Sequence, residues 1–135
     1  MLFSKLLLLI TGIVLFGYGL LCAIAPAYPA EFIGYHLDFG GTTVEIVAMY
    51  GGLQIGLGIT YIVAAAKSDF TLQGLKLLLI VLGSVAIGRF FGLIVHGVDG
   101  YNIAALFYEL TTIGLAISAL VLERAKAQTP IAEQD

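Results

Sequence analysis

Two ionisable side chains, Arg89 and Glu109, interrupt otherwise apolar stretches of the chain. Placing such a group at the centre of a membrane span costs about 2.5–3.5 kcal/mol, so unpaired ones are rare. A guanidinium and a carboxyl retained at that cost are expected to face each other rather than lipid. Other polar types accompany them: Glu45, Tyr50 and Gln54 before, His96 and Asp99 between. Such a set can hold a polar head group by hydrogen bonds, and Glu45, His96 and Asp99 have the types that general acid–base catalysis needs. No nucleophile elbow, HExxH or dinucleotide fingerprint accompanies them, so no catalytic residue and no cofactor is assigned. His36, Asp38, His96 and Asp99 could converge on a cation, but the two histidines occupy different connections without metal-ligand spacing. They read as solvated interfacial residues, and no metal is expected. The single cysteine, Cys22, excludes an intrachain disulfide and a cysteine-based zinc site.

The elements that must position these residues follow from composition. Of 135 residues 60% are apolar and 11% charged, with a mean hydropathy of +1.04. A water-soluble surface needs roughly a quarter charged residues, so this chain shows its outside to lipid. Net charge −3 with six Lys and Arg excludes a nucleic-acid footprint. Four stretches, 6–25, 43–66, 72–95 and 102–122, reach the roughly 20 apolar residues that a bilayer core requires. Open sheet edges cannot face lipid, and the alternation of a barrel is absent, so the expected fold is an all-α, four-helix membrane bundle. The expected domain is 1–124, followed by a polar tail over 125–135.

Lys5, Lys67, Lys76, Arg124 and Lys126 flank the spans on one side. The positive-inside rule makes that side cytoplasmic, with both termini inside, as in a bacterial inner-membrane protein. The first span could be a cleaved signal peptide, but its apolar run exceeds the 7–15 residues usual there, and it is read as retained. Pro26 and Pro29 stop it, and an amphipathic loop over 26–41 should lie in the interface or fold over the bundle mouth.

At 1.5 Å per residue Arg89 lies about 9 Å below the outer end of span three and Glu109 about 10 Å below that of span four. Tyr50 and Gln54 lie about 10 and 16 Å down span two by the same rise. At 100° per residue Tyr50, Gln54 and Tyr61 share a stripe, opposite Glu45, Gly52 and Gly56. The expectation is an Arg89–Glu109 ion pair in the outer half, with Tyr50 and Gln54 supplying further hydrogen bonds. A pair of this kind can also serve only to fix helix register. Gly52 and Gly56, and the ladder Ser84, Gly88 and Gly92, are expected at close helix contacts, within the bundle or between copies in a homo-oligomer. Gly12, Gly17 and Gly19 are less regular.

The run Glu45, Tyr50, Gly51, Gly52, Gln54, Gly56 and Gly58, then Gly88-Arg89, Asp99-Gly100 and Glu109, resembles the bacterial domain-of-unknown-function 4345 family of small four-span membrane proteins. The resemblance covers about 45–122 and supplies no activity. Members often carry an arginine before the Tyr-Gly-Gly run, where this chain has Val47. The architecture is also loosely similar to DoxX-like membrane proteins. The preferred function is a non-catalytic module whose partners are membrane lipids, a lipophilic or quinone-like small molecule, or a membrane protein, with Arg89, Glu109, Tyr50, Gln54, Glu45, His96 and Asp99 near the ligand. A small multidrug-type transporter and an enzyme acting on a lipid or quinone are the alternatives.

Overall fold

The computed structural model describes residues 1–34, 37 and 40–128. The helices are α1 (Leu2–Ile24), α2 (Ala27–Ile33), α3 (Gly41–Glu45), α4 (Leu53–Ala66), α5 (Ser68–His96) and α6 (Gly100–Gln128), with a π-helical segment, Ile46–Gly52, joining α3 to α4. Among the described residues there is no strand. Four helices, Leu2–Ile24, Gly41–Ala66, Ser68–His96 and Gly100–Ala125, are long and apolar enough to cross a membrane, and they mark a membrane protein. A helix satisfies every interior backbone donor and acceptor within one segment, which is why such apolar sequence folds this way.

Three of the four helices start or end several residues beyond their apolar stretches. Nothing in backbone hydrogen bonding stops a helix where hydropathy falls, so α5 begins at Ser68 and carries Lys76 two turns inside it. One extended residue, Lys67, separates α4 from α5. The Thr71 hydroxyl closes that hairpin by donating to the Ala64 carbonyl at 3.0 Å, satisfying an acceptor the end of α4 leaves open. At the same end Ser4 donates to Glu123 at 2.6 Å and Lys5 to Ser68 at 2.8 Å. This is the lysine end of the bundle. The opposite, loop end carries α2 and the turn from Gly97 to Asp99, where Gly97 adopts φ +104°, a conformation open to glycine. Pro29 and Ala30 of α2 are buried, and the Phe32 ring meets Tyr101 edge-on at 5.8 Å, so α2 covers the start of α6. His36, Asp38 and the tail beyond 128 lie outside the described residues.

Leu8, Tyr61, Leu75, Leu78, Leu82, Ala116 and Ala119 form the core, toward the lysine end. The tightest seam joins α1 to the second span. A Cβ at Gly12 would meet the Gly58 carbonyl at 2.9 Å, and one at Gly19 would meet the Gly51 carbonyl at 2.8 Å. Two glycines seven residues apart on one helix thus face two others seven apart on its antiparallel neighbour.

The expected ladders are not used inside the chain. A Cβ at Gly52 would meet only the Val47 carbonyl at 4.0 Å, and Gly56, Gly88 and Gly92 have nothing within 4 Å. Ser84 is exposed and donates to the Ile80 carbonyl of its own helix at 2.8 Å. Counted at 100° per residue, Gly51 and Gly58 fall within about 20° of each other while Gly52 and Gly56 lie on another face, and it is the Gly51 and Gly58 face that meets α1. Gly51 and Gly58 therefore take the contact that Gly52 and Gly56 were expected to make.

Candidate functional site

Residues Val85, Arg89, Gly92 and His96 recur at helical spacing along one face of α5. α6 starts one turn later with its own cap. The Asp99 carboxylate accepts the Asn102 backbone N–H at 2.9 Å, the usual service of an aspartate to the third helical residue. The Asn102 side-chain amide then donates to the other Asp99 oxygen at 2.6 Å. That leaves the Asn102 carbonyl oxygen turned toward α5, where it accepts from Arg89 Nη1 at 2.5 Å. Arg89 also donates to Glu109 Oε1 through Nε at 2.9 Å and pairs with the same oxygen through Nη2 at 2.8 Å. A continuous network thus runs Asp99, Asn102, Arg89, Glu109.

Burial along the network is graded. The Asp99 carboxylate is exposed, the Arg89 side chain is 20% exposed, and Glu109 is 4% exposed with Oε2 buried and unpartnered. The phenols of Tyr50 and Tyr101 lie within electrostatic reach of Arg89. Tyr18 lies within reach of both phenols and one helical turn from Cys22 on α1.

Beside the network is a cavity of about 410 Å³. Arg89, His96, Asp99 and Asn102 supply its polar side, Val85 and Leu93 its apolar side, and Gly92 and Gly97 leave room where other residues would intrude. Among the described residues no three His, Cys, Asp or Glu side chains converge as a metal site would require.

The structure therefore brings together Arg89, Glu109, His96 and Asp99, with Glu109 behind Arg89 and outside the cavity lining. Gln54 does not join them. Its side chain packs against α1 at Gly19, and its buried Oε1 lacks a hydrogen-bond partner. Tyr50 faces Tyr18, Cys22 and α2 in a separate small cleft and meets the pair through its electrostatic reach to Arg89. Glu45 is exposed at the end of α3 and lines none of this cavity. Tyr50 and Gln54 both face α1, one turn apart along the axis, Tyr50 beside Tyr18 and Cys22 and Gln54 beside Gly19. Asn102, which links Asp99 to Arg89, is a site residue that sequence reasoning did not single out. The signal was the Asp99-to-Asn102 spacing, which is that of a helix cap and its third residue.

The Asn102 hydrogen bonds hold the Asp99 carboxyl below its ordinary value of 3.8. A depressed carboxyl contributes stability that is present above that ordinary value and lost as pH falls through the lowered one. The Asn102 amide resonance is therefore expected to titrate with a midpoint below 3.8. A midpoint at or above the ordinary value would mean that the cap does not form.

Neither curated proteins nor solved structures contain a match to this chain. A family model described as a domain of unknown function (DUF4345) matches residues 3–120, which take in all four spans and the whole Asp99 to Glu109 network, and the chain belongs to that family.

Proposed function

We propose that the protein is a non-catalytic module of the bacterial inner membrane that holds a lipophilic molecule with a polar head in the cavity beside Arg89. The observation that carries this reading is a guanidinium with unused donors at the wall of a half-apolar cavity. Arg89 has five N–H groups, of which Nε, one on Nη1 and one on Nη2 are engaged. One N–H on each terminal nitrogen remains for an acceptor. The volume of about 410 Å³ falls in the range of roughly 300–1,000 Å³ usual for small-molecule sites. With the lysine end in the cytoplasm, the cavity opens on the outer side of the membrane. A proton-coupled transport reading draws no support from Glu109, which is buried and shares one oxygen between two Arg89 nitrogens.

Gly92→Phe tests the reading. A side chain there has open space on the helix surface, so it is expected to fill the cavity without disturbing the bundle. Lipophilic molecules retained by the purified wild-type protein in native mass spectrometry should be lost from Gly92→Phe while its melting temperature is kept. Retention of the same molecules by a cavity-filled variant would remove the cavity as their site.

A further inference from the structure

Resting on the cavity reading above, we infer that the head group bound beside Arg89 is uncharged, a carbonyl- or hydroxyl-bearing amphiphile rather than an anionic lipid. A lone arginine in a membrane protein invites a phosphate or carboxylate, but this one is already balanced. Glu109 Oε1 takes two of its nitrogens, and through Asn102 it is tied to Asp99. Among the described residues, the charged groups around the cavity are thus one guanidinium against two carboxylates. Glu31, exposed on α2, adds another negative charge to the loop end.

An anionic head reaching the free Arg89 N–H groups would pass Asp99 at the cavity mouth and stop with Glu109 behind the guanidinium. At an effective dielectric of about 20 each charge within several ångström contributes a few kcal/mol, so two carboxylates more than offset the one guanidinium and leave an anion a net penalty on the order of tenfold. A neutral oxygen takes the same N–H groups without that repulsion. A hydroxyl gains further, because it can accept from Arg89 and donate to Asp99, which lines the same cavity and is exposed. Gly92 sets the room for this head, since its missing side chain leaves the wall open one turn from Arg89.

The test is a competition between two molecules that differ only by a phosphate. The full-length protein is placed in phosphatidylcholine nanodiscs containing equal amounts of 1-oleoylglycerol and 1-oleoyl-lysophosphatidate at neutral pH. Native mass spectrometry counts each bound molecule, and the fraction that Gly92→Phe abolishes is the cavity-bound fraction. 1-Oleoylglycerol is expected to exceed lysophosphatidate in that fraction by about tenfold. Asp99→Asn, which keeps a good helix cap, should narrow the ratio severalfold by removing one negative charge. Equal or preferential binding of lysophosphatidate overturns the inference while leaving the cavity in use. A preference for the neutral lipid that Asp99→Asn leaves untouched also overturns it, because the charge balance would not be its cause. If Gly92→Phe abolishes neither molecule, the cavity reading fails first and the inference with it.

Discussion

Replacing Gly58 with alanine is expected to lower the stability of the bundle by about 3 kcal/mol, the upper range for overpacking a close contact. The added Cβ would lie 2.7 Å from the Phe16 backbone nitrogen, 2.8 Å from the Gly12 carbonyl oxygen and 2.8 Å from Phe16 Cβ. None of these is the movable end of a side chain. The only relief is for α1 and α4 to separate, and separation along a shared seam also loosens the second contact, between Gly19 and Gly51. In lipid no hydrophobic force holds helices together, so lost van der Waals contact is lost stability. Gly56→Ala supplies the control on the same helix. Its Cβ meets nothing within 4 Å, and alanine favours the helix over glycine by up to about 1 kcal/mol. Thermal unfolding of the two variants in one detergent should therefore move in opposite directions, or show Gly56→Ala unchanged. Equal behaviour would mean that the second span is rotated from the register described.

That contrast also marks what sequence can carry. The four spans were legible because hydropathy over 20 residues is a strong, one-dimensional signal, and the all-helical fold follows from it. The Arg89–Glu109 pair was legible because the expense of each group in lipid demands a partner at the same depth. The faces of the second span were not. A 100° count says which residues share a face and does not say which face turns to a neighbouring helix. Tyr50 and Gln54 share the side that faces α1, but about 6 Å of helical rise between them sets them beside different neighbours. The seven-residue spacing of Gly12 with Gly19 and of Gly51 with Gly58 was present in the chain but was outweighed by the more familiar four-residue spacing of Gly52 with Gly56. The cavity was illegible for another reason. It depends on where side chains are missing, at Gly92 and Gly97, and on how the α5–α6 turn folds back, neither of which a periodicity reports.

The largest expected effect belongs to the ion pair, and it is asymmetric. Arg89→Met leaves Glu109, 4% exposed, with no partner at either oxygen. Removing one member of a buried pair costs about 3–5 kcal/mol because the other charge is left without compensation. Glu109→Leu is milder, at roughly half that cost, since the remaining guanidinium keeps Asn102 and can take solvent from the cavity it lines. The double variant Arg89→Met with Glu109→Leu buries no charge at all, and it should be more stable than Arg89→Met alone, giving a coupling of about 1–3 kcal/mol by thermal or chemical unfolding. Stability and ligand retention then part company. If the pair serves only to hold α5 and α6 in register, the double variant recovers both the fold and any bound lipophile, because the cavity walls Val85, Leu93 and Gly92 are intact. If Arg89 receives the head group, the double variant recovers the fold and still loses the lipophile in native mass spectrometry, and that second outcome is the one expected from two guanidinium N–H groups left free beside the cavity.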